Sequence, residues 1–420
     1  MTLGSKPEES LRVAPGAAFQ SRDFRWFQAA RGVGVSAYQM QSVAIGWQVY
    51  ALTGNALDLG FVGLAQFLPA VLLSLFTGHV ADRYDRRQVI LACYALLACA
   101  SLTLALVMSL PRPSLPWVYC ILTVVGCARA FSGPASQALM PNLVPPQHFT
   151  NAVAWSSGLF HVAVVLGPAL GGLGYGVLGP VRLFVLCGLL ELGALLLLHR
   201  VTPRPSRQAL GRSFADLLAG LRFVWRQKLV LGAISLDLFA VLLGGAVALL
   251  PIFARDILHV GPAGLGVLRS APAFGATLVA LVLAFHPLRQ RAGAALLGCV
   301  GIFGVATIGF GLSRSFLLSL TLLAIAGAAD MVSVYIRHTL VQLNTPDVMR
   351  GRVAAVNLVF IGASNELGEF ESGLTAAWLG AVPAVLLGGA GTCLIVVLWV
   401  FLFPELARTS RLDGRDGSLA

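Results

Sequence analysis

The stretch GHVADRYDRRQVI, residues 78–90, sets the question of the fold. Five of its thirteen residues are charged: Asp82, Arg83, Asp85, Arg86 and Arg87. In the whole chain of 420 residues only 11% are charged and 57% are hydrophobic, against about 25% and about 45–50% in soluble domains. The cluster lies between two apolar runs that are each long enough to cross a bilayer. The chain is therefore predicted to be an integral membrane protein, and this stretch a polar loop between two spans.

Twelve apolar runs have the length of about 20 residues that a helix needs to cross a hydrocarbon core about 30 Å thick. Helices are expected because a helix satisfies its own backbone hydrogen bonds in lipid. Numbered as spans 1 to 12, the runs cover roughly 26–52, 58–79, 88–110, 116–139, 148–176, 181–199, 229–253, 262–286, 292–312, 316–340, 352–378 and 382–403. The sequence thus predicts an all-α membrane protein with twelve transmembrane helices.

The basic residues lie mostly on one side of these spans. Most of the 29 fall in the termini or in the loops after spans 2, 6, 8 and 10. Four fall on the other side: Arg112, Arg182, Arg255 and Arg314. By the positive-inside rule both termini are predicted to be cytoplasmic, in a bacterial inner membrane. The formal net charge of +11 is then a signal of topology and not of nucleic-acid binding.

A basic, proline-bearing interruption divides the spans into two sets of six. It runs from Arg200 to about Lys228 and opens with RVTPRPSRQALGR. No cleavable signal peptide is expected before span 1, because the first residues are polar. The predicted organisation is a disordered cytoplasmic tail, a six-helix bundle, a cytoplasmic linker, a second six-helix bundle and a second tail, at 1–22, 23–200, 201–228, 229–404 and 405–420. A monomer is expected.

The linker contains an amphipathic segment, SFADLLAGLRFVWRQ, residues 213–227. Its apolar residues share one face at helical spacing: Phe214, Leu217, Leu218, Leu221 and Trp225. We expect a helix on the inner membrane surface. The alternative is a polar extension of span 7.

The two halves resemble each other when the sequence is shifted by 201 positions. Gly126 and Arg129 then align with Gly327 and Asp330, and three further pairs coincide: Pro145 with Pro346, Gly167 with Gly368, and Gly172 with Gly373. With equal numbers of spans, these matches indicate a duplicated six-helix unit. Transporters built from such repeats bind substrate near the midplane, at the repeat interface.

The charged loop connects span 2, expected to end at Gly78, to span 3, expected to begin at about Gln88. A carboxylate in so short a loop can reach an arginine or the N-terminus of another helix. Such contacts can hold a cytoplasmic gate shut and break when it opens. Gating is therefore predicted for five residues: Gly78, Asp82, Arg83, Arg86 and Arg87. The alternative is a tight basic turn that only obeys the positive-inside rule.

The loop resembles the connection between helices 2 and 3 of the major facilitator superfamily, G-x-L-a-D-r-x-G-r-r. The matching residues are Gly78, Ala81, Asp82, Arg83, Arg86 and Arg87, with Val80 in place of Leu. Asp85 stands where the family usually has glycine. Because Asp tolerates the left-handed backbone conformation, we expect the turn to be intact. The second-half copy, HPLRQR at 286–291, has no aspartate, so the gate is expected to depend on the first half.

Three further motifs resemble the superfamily. RAFSG, residues 129–133, is similar to R-x-x-q-G, with Ser132 for Gln. AVVLGPALGG, residues 163–172, resembles the span 5 motif of the antiporters and keeps Gly167, Pro168, Gly171 and Gly172. This resemblance implies export; the alternative is an ordinary small-residue packing face. ELGEFESG, residues 366–373, resembles the branch of enterobactin-exporter-like transmembrane secretion effectors, which also includes macrolide and lysophospholipid carriers.

Ionisable side chains inside the spans are functional candidates, because a charge in lipid is costly. Arg129 in span 4 and Asp330 in span 10 lie near mid-depth at equivalent places in the two halves. Asp237 lies in span 7, and Glu366 and Glu369 lie three residues apart on one face of span 11. Our hypothesis is that Glu366, with Asp330 and Arg129, couples proton entry to substrate exit.

Each of these charges has a structural alternative. Arg129 and Asp330 can form a permanent ion pair, and Glu369 and Glu371 can belong to a wetter outer end of span 11. Two other arginines lie within a turn or two of the cytoplasmic surface, where long side chains can snorkel to water: Arg31 and Arg337.

Amide and aromatic side chains in the spans suit a sizeable amphipathic organic substrate. The predicted pocket residues are Tyr38, Gln39, Gln66, Trp155, His161, Asn357 and Asn365, and Gln41 and Gln48 accompany them in span 1. His161 taken alone is more typical of a packed, hydrogen-bonded histidine.

Several classes of function lack their sequence signals. No GxxxxGK[ST] occurs, so ATP is not the expected energy source, and neither GxSxG nor HExxH indicates an enzyme. The seven cysteines are scattered through apolar runs without CxxC, which favours packing over disulfides or metal. We therefore expect no cofactor, no catalytic residues and a proton gradient as the energy source.

Together these patterns predict a twelve-helix facilitator of two pseudo-symmetric bundles that exports a small organic molecule, such as a siderophore or an amphipathic drug, by alternating access in exchange for protons. A lysophospholipid carrier of the same fold is the first alternative, and a lateral opening to the bilayer would distinguish it. A non-transporting membrane receptor is the second, but its soluble domains would not fit in loops this short.

Overall fold

The computed structural model describes residues 16–202, 214–288 and 290–409, and these residues form helices joined by short turns, without strands. In chain order the helices are α1 Arg22–Thr53, α2 Ala56–Arg83, α3 Arg86–Ser109, α4 Leu115–Leu139, α5 Phe149–His199, α6 Phe214–Arg226, α7 Lys228–Leu243, α8 Leu250–Ile252, α9 Gly261–Phe285, α10 Ala292–Leu312, α11 Phe316–Leu343, α12 Asp347–Leu379, α13 Ala381–Leu402 and α14 Pro404–Arg408.

Twelve membrane-length segments are present in this described part of the chain. Nine helical runs are long and apolar enough to cross a membrane by composition alone, and α5 counts once among them. Gly179 interrupts α5 with φ 75° and ψ 173°, a conformation that glycine adopts without steric cost, so α5 supplies spans 5 and 6. The more polar helices α1 and α12, of 32 and 33 residues, complete the set. The predicted fold class is therefore confirmed.

Span 7 differs from the single helix that we predicted. Helix α7 ends at Leu243, and the chain continues through Gly244 and Gly245 into the short turns that include α8. A Cβ atom at Gly245 would lie 2.5 Å from the carbonyl oxygen of Gly368 in α12. The glycine pair thus allows the unwound segment to touch α12, an approach that a side chain would prevent.

The glycines of the 201-position repeat make equivalent contacts in the two halves. Gly126 brings α4 against the backbone of α2, and Gly327 brings α11 against the backbone of α9 in the same way. Gly167 faces α1, and its partner Gly368 faces α7. In each pair, the two glycines join equivalent spans, each within its own bundle. The sequence repeat therefore corresponds to a structural repeat.

A third pair of repeat glycines joins the bundles to each other. A Cβ atom at Gly172 of α5 would lie 2.8 Å from the Cα atom of Gly266 in α9. Across the pseudo-twofold, a Cβ atom at Gly373 of α12 would lie 2.8 Å from the Cα atom of Gly60 in α2. Both contacts lie toward the end of the molecule that carries the loop between α1 and α2. We call this the opposite end, and the end with the charged loop between α2 and α3 the basic end.

Toward the basic end, some glycines of both bundles make no close contact with another helix. Glycines there, on α4, α5 and α12, have no atom within 4 Å of the position where a Cβ would stand: Gly133, Gly158 and Gly362. We call the space between α1, α4, α5 and α12 the cleft. Because the close glycine contacts between the bundles lie toward the opposite end, we expect the cleft to open at the basic end.

Two predicted segment boundaries change. The first tail was predicted over 1–22, but Ala17–Gln20 form a 3-10 turn with Ala17 and Ala18 buried, and the backbone N–H of Ala18 donates to Asn151 Oδ1 at 3.0 Å. The second tail was predicted from 405, but Leu406 in α14 is fully buried against α10. Residues 1–15 and 410–420 lie outside the described part.

The predicted amphipathic helix corresponds to α6. Its Val224 is fully buried against the inner part of α12, and a Cβ atom at Gly220 would lie 2.8 Å from the carbonyl oxygen of Arg352. Leu218 and Trp225 remain exposed, whereas the side chains of Phe214 and Leu217 lie outside the described part. One face of α6 thus packs against α12. Its exposed apolar residues remain available for the predicted contact with the inner membrane surface.

Candidate functional site

The predicted gate lies at the junction of α2 and α3, with a different backbone from the one we expected. Gly78 does not end span 2, because glycine is tolerated inside a helix at a cost of about 1 kcal/mol and α2 continues to Arg83. Asp85 is not left-handed: its φ is −60° and its carboxylate accepts from the N–H of Arg87 at 2.9 Å, capping α3. The surroundings of Gly78 and the side chain of Asp82 lie outside the described part, and Arg83 is exposed.

Two of the predicted gating arginines contact helix ends of their own bundle. Arg86 donates to the carbonyl of Ala138 at 3.0 Å, in the last turn of α4. Arg87 donates to the carbonyl of His199, which ends α5. Cations are stabilising at helix C-termini, where free carbonyls carry partial negative charge. The loop therefore ties α3 to α4 and α5, while its role as a gate stays a prediction.

The centre of the first bundle is a chain of polar contacts. Tyr38 on α1 donates to Oε1 of Gln66 on α2 at 3.1 Å and accepts from Arg129 on α4. The Arg129 guanidinium also stacks on the Tyr38 ring, 3.9 Å from its centroid, a favourable cation–π arrangement. Arg129 remains exposed. Three predicted site residues therefore meet, with the guanidinium accessible from the cleft.

Two further arginines extend this polar surface. Arg31 on α1 donates to Ser156 on α5 and lies 5.4 Å from the centroid of the Phe160 ring. Arg269 on α9 donates to Ser42 on α1 at 3.0 Å, a hydrogen bond between the two bundles. Arg31 is thus held inside the first bundle by a hydroxyl and an aromatic ring.

In the second bundle the structure shows an ion pair that we did not predict. Arg337 on α11 contacts Asp237 on α7, with side chains only 3% and 8% exposed. We had expected Arg337 to snorkel toward water, and this was wrong, because a buried carboxylate is within its reach. Asp330 lies two turns earlier on the same face of α11 and lines a small cavity that Asp237 also lines. The alternative pairing of Asp330 with Arg129 is not among the ion pairs of the described residues.

The side chain of Glu366, central to our coupling hypothesis, lies outside the described part. Glu369 is half-buried on α12, and Glu371 accepts a hydrogen bond from Thr375 at 2.7 Å on the same helix. The structure therefore brings together Asp237, Asp330 and Arg337, and leaves the two glutamates of the motif as predictions.

The four residues of the predicted antiporter motif have two packing partners. Gly167 and Gly171 face α1, where a Cβ atom at Gly171 would lie 2.6 Å from the Cα atom of Met40. Gly172 and the carbonyl of Pro168 face α9 of the other bundle. Helix α5 is therefore pressed between α1 and α9. The motif lies where one bundle would move against the other.

The remaining predicted pocket residues do not come together at one site. Gln39 packs its Cβ atom against α5, and Trp155 stacks on Phe19 at 5.1 Å near the basic end. Asn357 is 9% exposed, and its Oδ1 has no hydrogen-bond partner among the described residues, whereas Asn365 is exposed and donates to a carbonyl of its own helix. His161 is half-buried beside Phe160.

The two extra glutamines of span 1 are engaged within the first bundle. Gln41 accepts from Ser101 at 3.0 Å, and Gln48 accepts from Tyr175. Of the residues that we assigned to the pocket, the structure therefore assembles Tyr38 and Gln66 around Arg129.

Sequence reasoning missed two features. At the opposite end, Tyr50 of α1 donates to Asp256, and Arg255 donates to the carbonyl of Tyr50 at 3.1 Å. Within span 6, Glu191 is 1% exposed, and its Oε2 has no hydrogen-bond partner in the described chain. An acidic residue inside an apolar run was a visible signal for Glu191, whereas the contact of Tyr50 with Asp256 depends on the fold.

Comparison with solved structures agrees with this architecture. A bacterial homologue of the human lysosomal transporter Spinster, inward-facing and unoccupied, superposes with a TM-score of 0.72 at 16% identity, over 96% of this chain and 97% of that one. The nucleoside transporter NupG gives a TM-score of 0.69 at 14% identity, over 91% and 99%. This likeness shows the major facilitator fold.

The sequence profile of the transmembrane secretion effector family matches residues 13–416. The chain belongs to this family of multi-pass membrane transporters. It is also similar to the enterobactin exporter EntS of Escherichia coli O1:K1 / APEC, 28% identical over 92% of each chain, and to EntS of Shigella boydii serotype 18, 29% identical over the same shares. The predicted superfamily and branch are thereby confirmed.

Proposed function

We propose that this chain exports a small organic molecule of the siderophore or amphipathic-drug kind across a bacterial inner membrane by alternating access, in exchange for protons. The similarity to EntS over most of both chains supports export. The basic end, with the arginine-rich loop, is assigned to the cytoplasm. The observation that carries the proton coupling is the buried ion pair of Asp237 with Arg337, together with the small cavity that Asp237 shares with the half-buried Asp330.

Two carboxyl groups and one guanidinium at membrane depth form a site with changeable charge. Arg337 balances the carboxylate of Asp237, with which it is paired. Asp330, which lines the same small cavity, can then exchange a proton with water without breaking that pair. A charge left unbalanced in lipid is costly, so a change of protonation favours one arrangement of the helices over another.

The packing offers a path for that rearrangement. The bundles touch through Gly172 and Gly266 and through Gly60 and Gly373, all toward the opposite end. These backbone contacts have no side chains to disengage, so one bundle can rock against the other. Alternating access in repeat-built transporters is largely such a rigid-body motion around a fixed site. Closure at the basic end, where we predict the gate at Asp82, would accompany opening at the opposite end.

Everted membrane vesicles with an acid lumen test this proposal. Siderophores, macrolides, cationic drugs and lysophospholipids are added in turn while a fluorescent dye reports the pH gradient. One class is expected to collapse the gradient, and vesicles without the protein are not. Collapse by no compound would refute proton exchange. Lysophospholipid movement without collapse would favour the lipid carrier.

Variants assign the coupling residues. Asp330→Asn and Glu366→Gln are expected to bind substrate but to release few protons. Asp347→Asn is the matched control, because Asp347 makes an exposed ion pair with Arg350 at the basic end. Gradient collapse at the normal rate in both Asp330→Asn and Glu366→Gln would remove these residues from the mechanism.

A further inference from the structure

The four arginines that lie within the spans have two kinds of partner. Arg337 is balanced by the carboxylate of Asp237. Arg31, Arg129 and Arg269 instead donate to neutral hydroxyl groups. None of these three forms an ion pair with a carboxylate of the described residues. Their positive charges are therefore held in place, and no carboxylate in the described part of the chain pairs with them.

The three arginines are arranged along one side of α1. Arg31, Tyr38 and Ser42 follow at spacings of seven and four residues, which places them within about 40° of each other around the helix. Arg129 binds Tyr38, and Arg269 binds Ser42. With a rise of about 1.5 Å per residue, the three levels span about 16 Å along the helix axis. The result is a ladder of guanidinium groups.

The ladder faces the space between the bundles. Ser42 reaches across to Arg269 of the second bundle, so this side of α1 is the one that meets α9. Arg129 is exposed. Of the three arginines, Arg31 lies nearest the basic end, where it contacts Ser156 and Phe160 of α5.

We propose that the ladder is the substrate site and that the substrate is an organic anion, held through its carboxylate, sulfonate or phenolate oxygens. The proposal rests on the proposed function and narrows its substrate class. Arginine does not lose its proton in proteins, and an arginine at bilayer depth costs several kcal/mol on any scale. A hydroxyl oxygen offsets only part of that cost, whereas an anion would form short charge-assisted hydrogen bonds with the guanidinium groups.

The geometry also suggests an order of engagement. An anion entering from the basic end meets Arg31, then Arg129, and finally Arg269, which belongs to the other bundle. Binding at the last level replaces the bond between Arg269 and Ser42, one of the contacts that join the bundles. Loading the ladder would thereby weaken the closed opposite end.

A matched set of fluorescent probes tests the inference without a proton gradient. Dansylglycine is an anion, dansylamide is neutral and dansylcadaverine is a cation, and all carry one fluorophore. Each is titrated into the purified full chain in lipid nanodiscs. Dansylglycine is expected to bind at least ~10-fold more tightly than dansylamide, and dansylcadaverine more weakly than both. Equal binding of the three, or preference for the cation, would overturn the inference.

Variants locate the site. Arg129→Gln and Arg269→Gln are each expected to weaken the binding of dansylglycine about 10-fold and to leave the affinity for dansylamide unchanged. Arg129→Lys should keep most of the preference for the anionic probe, because it keeps the positive charge. Arg314→Gln, an exposed loop arginine, is the control. Unchanged dansylglycine affinity in both glutamine variants would overturn the assignment. Should Arg129→Gln fail to fold, Arg269→Gln and Arg31→Gln decide the question.

The inference and the proposed function can fail separately. Anion preference in nanodiscs without gradient collapse in vesicles would support the ladder and refute proton exchange. Gradient collapse by cationic drugs, with no preference for dansylglycine, would support export and overturn the ladder.

Discussion

The buried pair of Asp237 and Arg337 gives the sharpest prediction of stability. Asp237→Asn keeps the shape of the side chain and one acceptor oxygen but removes the charge opposite a guanidinium that is 3% exposed. Breaking a buried ion pair from one side costs about 3–5 kcal/mol, because the remaining charge is left unbalanced. Since the asparagine oxygen still accepts, we expect a loss of about 3 kcal/mol in the free energy of unfolding.

The chain contains its own control for this experiment. Asp347 and Arg350 form an ion pair of 2.6 Å, but their side chains are 83% and 55% exposed. An exposed pair contributes about 0–1 kcal/mol, because water and salt screen it. Asp347→Asn should therefore change the unfolding free energy by less than about 1 kcal/mol. Both variants are unfolded in mixed micelles with increasing SDS, with helix content followed by circular dichroism.

A third variant separates charge from packing. Asp237→Leu combined with Arg337→Met removes both charges and keeps apolar bulk, so most of the lost stability should return. Equal losses for Asp237→Asn and Asp347→Asn would refute the reasoning, since it requires burial to decide the cost. If the double variant is less stable to unfolding than Asp237→Asn, then packing and not charge determines the loss of stability.

Three further predictions concern the glycine contact between the bundles, the contact of Tyr50 with Asp256, and the cap of α3. Gly172→Ala would place a Cβ atom 2.3 Å from a carbonyl oxygen of α9, so the transport rate should fall at least ~10-fold. Gly158→Ala is the control, because nothing lies within 4 Å of its new Cβ atom, and it should transport normally. Equal transport rates for the two variants would contradict this prediction. Asp256→Asn weakens the contact with Tyr50, so hydrogen exchange in the π-helical turn Phe253–Ile257, which carries Asp256, should accelerate about fivefold; an unchanged rate would show that this contact does not stabilise the turn. Asp85→Ala should cost about 1 kcal/mol of unfolding free energy and Asp85→Gly only a few tenths, as at a helix N-cap; stabilisation by glycine would instead indicate a left-handed turn.

Most of the fold could be predicted from the sequence because lipid leaves the backbone few choices. A run of about 20 apolar residues must become a helix, and the 201-position repeat already contained the glycines that join the helices, including Gly126 and Gly327. The break in span 7 was less visible. Gly244 and Gly245 lie in an apolar run like any other, and the reason for the break is the α12 backbone, which is distant in sequence.

The site was harder to predict because it depends on which side chains face each other. Arg129, Asp237 and Asp330 were found from the cost of a charge in lipid, which a single sequence displays. The partner of Arg337 was not, since depth in a span says nothing about which neighbouring helix offers a carboxylate. The same limit applied to Gln41, whose amide turned out to bond inside the first bundle.

The repeat explains why mechanics and chemistry separate in this molecule. The aligned glycines are kept in both halves, and each pair makes the same contact, because a rocking motion needs matching surfaces on the two bundles. The aligned charges are not kept: Arg129 of the first half corresponds to Asp330 of the second. The first half thus contributes Arg31 and Arg129, which no carboxylate of the described residues pairs with, and the second contributes Asp237, paired with Arg337, and Asp330 at a cavity that Asp237 also lines. On our two proposals, the ladder of Arg31, Arg129 and Arg269 binds the anion and the second half exchanges protons, and rocking the bundles against each other would link the two.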